Sequence, residues 1–120
     1  GCRLHYANEV AILGEQASNC AAAGPSGNGV CGTNCDAFCT ITQAACVGAN
    51  TEYPNVAACK AACATLPDLG SYDDSIESGN SVQCRVYHSN AASIDPDFHC
   101  PHTKIGIDGP CAAALLPATP

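Results

Sequence analysis

The chain has 120 residues, a formal net charge of −7 and a hydrophobic content of 47%, yet it contains two Phe and no Trp or Met. The excess of acidic side chains excludes nucleic acid as a partner, because too few basic groups are present to neutralise phosphates. No apolar run is long enough to cross a bilayer, so we expect no membrane span.

Disulfide bonds are expected to supply the stability that so few large side chains cannot. Folding costs roughly 1.5 kcal/mol of ordering entropy per residue, and each disulfide returns ~2–4 kcal/mol. The chain has eleven cysteines but no CxxC pair of the kind found in cytosolic zinc or iron–sulfur proteins. We therefore predict an extracellular or cell-surface protein. A first residue other than Met is what processing of a secreted precursor would leave.

The N-terminal segment is predicted to be a helix followed by a turn. Its apolar side chains recur at helical spacing, at Leu4, Ala7, Val10 and Ala11. We expect this helix to begin after Arg3 and to end at Gly14. The glycine-rich stretch "AGPSGNGVCG" that follows is interpreted as a plain turn, because it lacks the GK[ST] ending of a phosphate-binding loop.

The central stretch predicts a helical hairpin. On the first helix one face carries Cys35, Phe38, Cys39, Thr42 and Cys46, and on the second a matching face carries Val56, Cys59, Cys63 and Leu66. We expect Asn34 to cap the first helix, and the second helix to begin after Tyr53-Pro54 and to end at Pro67. Antiparallel packing of two CxxxC helices predicts nested disulfides, Cys35–Cys63 outside and Cys39–Cys59 inside.

An internal repeat divides the chain. Cys2, Cys20 and Cys31, which we name the first copy (residues 2–31), correspond to Cys84, Cys100 and Cys111, the second copy (residues 84–111), with one two-residue gap. We expect a complete unit at 1–67, an acidic linker at 68–80 and a partial second unit at 81–120. A calcium site in the linker is disfavoured, because its carboxylates do not have EF-hand spacing. Asn80 or Ser81 is expected to cap the helix carrying Cys84.

The second copy contains the most distinctive residues, "CRVYHSNAASIDPDFHCPH". On a helix, Cys84 and His88 project from one face, and His99, Cys100 and His102 follow across a turn. We favour disulfides for both cysteines with histidines that bind nothing, because the first copy keeps the cysteines without matching histidines. The alternative is a zinc, copper or haem site formed by these five residues. Covalent haem attachment would be irregular, since no cysteine is followed directly by histidine.

The motifs "CRVYH…DPDFHCPH", "GPSGNGVCG", "CDAFC" and "AACKAAC" resemble blocks in uncharacterised, secreted, cysteine-rich tandem-repeat proteins of bacteria, which carry "CRLYH", "HCPH" and "GGGVCG". The resemblance covers nearly the whole chain. It implies an eight-cysteine unit from Cys2 to Cys63 and the start of another at Cys84. It implies no particular activity.

These observations predict a small, mostly helical, disulfide-rich protein, in which two related cysteine-bearing helix-loop segments flank the hairpin. We expect a structural subunit that assembles head-to-tail into a filament or surface layer, with the C-terminal half-unit completing the next subunit. The eleven cysteines are assigned to the disulfide framework, and because an odd number cannot all pair within one chain, at least one is expected to be free, intermolecular or carrying a group. No catalytic residues and no required cofactor are expected.

Two alternatives stay open. The first is extracellular electron transfer or metal or haem binding through His88, His99 and His102, with haem, copper or zinc as the cofactor. The second is a secreted binding or adhesion module, which the sequence does not separate from a structural subunit.

Overall fold

A computed structural model of the chain describes residues 1–13, 20, 22–106 and 109–112. The helices are α1 (Cys2–Leu13), α2 (Asn34–Ala45), α3 (Val56–Cys63), α4 (Val82–Ala92) and α5 (Pro96–His99), with 3₁₀ turns at Gly27–Gly29, Gly48–Asn50 and Cys100–His102. No β-strand occurs in these described residues. The small, mostly helical fold class is confirmed, while the expected helix end at Gly14 lies outside the described residues.

Helices α2 and α3 form the predicted hairpin. Cys35 is bonded to Cys63 and Cys39 to Cys59, and the Cα atoms are 5.7 Å apart in both pairs. This nested pairing is possible because cysteines four residues apart lie on one face of each helix. The structure therefore has the disulfides that the CxxxC spacing predicts.

The helix caps agree with the sequence in part. Ser81 caps α4, because its hydroxyl accepts a hydrogen bond from the Cys84 amide at 3.1 Å. Thr33, rather than Asn34, caps α2. The amide of Asp36 donates to the Thr33 hydroxyl and the amide of Thr33 donates to the Asp36 carboxylate, each at 3.0 Å. This reciprocal capping box satisfies two amides that the helix leaves unpaired.

The main core lies between the hairpin and α4. Phe38 of α2 and Val82 of α4 are fully buried, Val86 is 1% exposed, and these side chains pack with Tyr53 and with the two hairpin disulfides. The Tyr53 hydroxyl donates to the Thr103 carbonyl at 2.9 Å, which holds the segment after α5 against the same core. The core of the hairpin is thus completed by residues that follow the acidic linker.

The acidic linker itself contributes to this packing through Asp68. Its carboxylate accepts hydrogen bonds from the side-chain amides of Asn34 at 2.9 Å and Gln83 at 2.7 Å, and so links α2 to α4. Desolvation raises the pKa of Asp68, but the bonds from Gln83, Gly70 and Asn34 outweigh it and lower the pKa overall. The acidic linker therefore begins with a residue that holds α2 against α4, and the division of the chain at 68–80 stays a prediction.

The remaining disulfides show how the repeat is used. Cys2 is bonded to Cys31 and Cys84 to Cys111, so each copy contains one internal disulfide at the same pair of positions. Cys100 is bonded to Cys46 at the end of α2, whereas its counterpart Cys20 is a free thiol. Within the described residues, no helix has the length and apolar character needed to cross a membrane.

Candidate metal centre

His88 lies on α4, one turn after a covalently fixed cysteine. Cys84 is fully buried in its disulfide with Cys111, and His88 is 6% exposed. Residues four apart on a helix lie on the same face, so the disulfide holds the face from which His88 projects. The position of this imidazole is therefore set by the rigid helix.

His99 and His102 are brought to His88 by a sharp reversal of the chain. The Asp95 carboxylate caps α5 by accepting a hydrogen bond from the Phe98 amide at 3.3 Å, and Pro96 lies in the first turn. Between the two histidines, Cys100 is fully buried and bonded to Cys46. A disulfide to the end of the hairpin thus anchors the turn that carries both imidazoles.

The three histidines form a compact group, which we name the histidine triad (His88, His99 and His102). One ring nitrogen from each lies within 4.8 Å of the others. The ring centroid of His88 is 5.3 Å from that of His99 and 4.9 Å from that of His102. Such a group of borderline nitrogen ligands is typical of a site for zinc or copper.

Hydrogen bonds assign the tautomer of His88. Its Nε2 is 3.0 Å from the Glu77 carbonyl oxygen, which only accepts, so Nε2 carries the proton and donates. The neutral ring then presents Nδ1 as an acceptor, and the Nδ1–H of His99 donates to it at 3.1 Å. A histidine that donates its outer N–H to a carbonyl and directs its unprotonated nitrogen toward the other imidazoles has the arrangement of a metal ligand.

His102 contributes an unsatisfied nitrogen. Its Nδ1 is buried and has no hydrogen-bond partner among the described residues. Leaving a buried polar atom unpaired costs about 1–3 kcal/mol, which metal coordination would offset. The His102 Nδ1 atom is therefore available to a ligand.

The protonation equilibria favour neutral imidazoles. Desolvation lowers the pKa of His88, and the neighbouring His99 lowers it further against the opposing effect of the Glu77 carbonyl. Desolvation also lowers the pKa of His102, with repulsion from His88 and His99 acting in the same direction. Neutral rings are the form that binds metal, so protons compete weakly for these nitrogens near neutral pH.

The two cysteines of the alternative ligand set are not thiolates in this structure. Cys84, His88 and Cys111 lie within metal-binding distance of one another, but both sulfurs are used in the Cys84–Cys111 disulfide. Cys100 is likewise bonded to Cys46. Cys84 and Cys100 therefore act as supports for the triad, and a haem attached through them is incompatible with these bonds.

Sequence reasoning did not identify Phe98 or the Glu77 carbonyl as parts of the centre. The Phe98 ring lies edge-to-face against His99 and His102, with centroids 4.8 and 5.0 Å apart, and is 61% exposed. Its place directly before His99 is a usable signal for an aromatic neighbour. No sequence pattern indicates the role of the Glu77 backbone carbonyl, because its position depends on how the acidic linker folds over α4.

A family comparison matches residues 32–112 to the BfoA family C-terminal domain. The chain belongs to the BfoA family. The matched residues contain the hairpin, the whole triad and four of the five disulfides, and they leave out the first copy. No curated protein and no solved structure matches the chain. The tandem blocks named by the resemblance stay a prediction.

Proposed function

We propose that this protein is an extracellular metal-binding protein whose histidine triad holds one transition-metal ion, with copper preferred over zinc. The observation that carries the proposal is the convergence of three imidazoles, one of which has a buried, unpartnered nitrogen. Several disulfides and the absence of a membrane-spanning helix in the described residues are compatible with an extracellular location.

The geometry of the triad supports one ion rather than two. Nitrogens bound at about 2.0 Å to one ion lie about 2.8 Å apart when they are neighbours in a square-planar copper site and about 3.3 Å apart in a tetrahedral site. The Nδ1 atoms of His88 and His99 are already 3.1 Å apart, and all three ligand nitrogens are within 4.8 Å. If the His99 proton moves from Nδ1 to Nε2, small ring movements would complete a three-nitrogen site with one position left for water or another ligand.

The choice of metal follows from the ligand type. Imidazole suits both copper and zinc, and divalent copper binds a given nitrogen site more tightly than zinc. A copper ion would also give the protein a redox centre, which is how the expected electron-transfer alternative would operate. Haem is supported less well, because a porphyrin must lie between its axial imidazoles, whereas these rings contact one another directly.

The test is calorimetric titration of the chelator-treated protein with Cu²⁺ and, separately, with Zn²⁺. We expect one ion per chain, and nitrogen hyperfine coupling in the electron paramagnetic resonance spectrum of the copper complex. Replacing His88 or His102 by Gln should weaken binding by at least ~10–100-fold, the range found when even an outer-shell partner of a ligand is lost.

The fourth histidine provides a matched control. His5 lies on α1 with its side chain 64% exposed and paired with Glu9 at 3.7 Å, so His5→Gln should leave the affinity unchanged. Copper binding that survives replacement of all three triad histidines would contradict the proposal. A native protein that binds neither Cu²⁺ nor Zn²⁺ would also contradict the proposal. A Soret band in the isolated protein would favour haem instead.

A second candidate function is assembly with other units, as the sequence predicts. The observation that favours it is the free thiol of Cys20 in a copy whose counterpart, Cys100, is bonded to the hairpin. The expected route, in which residues 81–120 complete the next subunit, is not the one we now propose, because the second copy is packed on the hairpin of its own chain. Non-reducing size measurement of the chain mixed with a second BfoA-family unit would count against assembly if it found no covalent complex. That the protein is not an enzyme stays a prediction.

A further inference from the structure

The two copies have the same local construction. Each begins with a helix whose first cysteine is bonded to the last cysteine of the copy, Cys2 to Cys31 and Cys84 to Cys111. The arginine after that first cysteine donates to a backbone carbonyl in both: Arg3 Nε to Ala23 at 3.3 Å and Arg85 Nε to Lys104 at 3.4 Å. The described parts of the two copies therefore share the opening helix, the internal disulfide and the arginine contact.

The surroundings of the two copies differ. Val86 of α4 is 1% exposed because it packs against Phe38 and the rest of the hairpin core. The corresponding residue of α1 is Leu4, which is 63% exposed. Cys84 is fully buried, whereas the corresponding Cys2 is exposed. The first copy thus presents the face that a hairpin covers in the second copy.

The free thiol of Cys20 lies at the position that, in the second copy, is bonded to the hairpin. Cys100 of the second copy is bonded to Cys46, the cysteine just after α2. Cys20 is the counterpart of Cys100 and is half-buried and unbonded. An apolar recess of about 240 Å³ also opens beside Leu4, with Cys2, Ala37 and Ile41 among its lining residues. The uncovered face and the free thiol are two separate indications of one missing element.

We propose that the first copy is a docking surface for a helical hairpin of another BfoA-family unit, which has the cysteine spacing of residues 34–63 and an unpaired cysteine in the place of Cys46. This inference deepens the assembly candidate by naming the partner. The chain's own hairpin is not that partner, because its Phe38 is fully buried and its Cys46 is bonded to Cys100. A second copy of this chain is excluded for the same reason.

Docking ends in a disulfide between Cys20 and the partner's cysteine. The two thiols together lose two protons and two electrons and form one S–S bond. An external disulfide oxidant accepts both electrons and both protons and is thereby reduced to two thiols. The covalent step needs no group from the histidine triad.

The test is a chain in which a second copy of residues 32–82 precedes Gly1. This junction reproduces the spacing between Val82 and Cys84, since the added Val82 then stands two residues before Cys2. It also gives the chain an even number of cysteines. We expect Cys20 to lose its reaction with a thiol reagent, and peptide mapping to join Cys20 to the added copy of Cys46. Hydrogen exchange in α1 should become slower.

Two variants make the outcome decisive. Replacing the added Cys46 by Ser should restore the Cys20 thiol while α1 stays protected, because docking precedes the bond. Leu4→Asp should have little effect on the original chain and should abolish the protection in the extended chain. The proposal is overturned if Cys20 stays reactive in the extended chain, joins a different cysteine, or forms a Cys20–Cys20 dimer. Copper titration of the same proteins is independent of these results and tests the triad separately.

Discussion

The first and second copies have one cysteine frame and opposite environments. In the second copy the hairpin covers α4, buries Cys84 and Val86, and receives the Cys46–Cys100 disulfide. In the first copy the equivalent positions, Cys2 and Leu4, are exposed. Burial in this molecule is therefore decided by the hairpin and not by the segment it covers. The histidine triad lies in the covered copy, where packing holds the imidazoles together.

The largest difference in stability between the two copies should appear when a charge is placed at the two equivalent positions. Val86→Asp should destabilise the protein by about 3–5 kcal/mol, since it buries an unpaired carboxylate in the core. Leu4→Asp should change stability by less than about 0.5 kcal/mol, because its position is exposed. Urea denaturation with the disulfides intact measures both. Equal losses at the two positions would show that the first copy has its own buried core.

The next largest difference should come from removing the disulfide that joins the second copy to the hairpin and, separately, the internal disulfide of the first copy. Cys46→Ala with Cys100→Ala should cost about 2–4 kcal/mol, because this bond closes the longest loop in the structure, at 54 residues. It should also weaken copper binding, since the turn carrying His99 and His102 loses its anchor. Cys2→Ala with Cys31→Ala is the matched control, and its effect on copper affinity should be negligible. Unchanged copper affinity in the first variant would separate the triad from the disulfide.

The smallest effect is the dependence of stability on pH, which only the second copy should show. The pKa values of His88 and His102 are lowered from 6.5 by burial. As the pH falls below 6.5 the unfolded chain therefore takes up protons before the folded one, and stability declines until the lower folded pKa values are passed. Denaturation of the metal-free protein from pH 8 to 5 measures this decline.

Replacing His88 and His102 by Gln should flatten that profile, whereas His5→Gln should not alter the contribution of the triad. A profile that is the same before and after replacement of the two buried histidines would mean that their environment does not distinguish the folded from the unfolded state. Copper affinity should fall over the same pH range, because protons and the ion compete for the same nitrogens.

Sequence reasoning succeeded where the determining interactions are local. Periodicity placed the hairpin, the four-residue spacing predicted Cys35–Cys63 and Cys39–Cys59, and a polar residue before α4 marked its cap at Ser81. It was wrong about Asn34 as a cap, because Thr33 and Asp36 form a reciprocal box one residue earlier. The convergence of the histidines was part of the alternative interpretation, whereas the favoured interpretation was disulfides with histidines that bind nothing.

The amino-acid sequence by itself determined that this protein is helical, that cysteines rather than large side chains stabilise it, and that one cysteine has no partner within the chain. Only the tertiary structure decided that Cys46 is bonded to Cys100, that the second copy completes the hairpin, and that His88, His99 and His102 meet. The physical reason is range. Helix periodicity and capping act over a few residues, whereas a bond across 54 residues depends on which faces pack together.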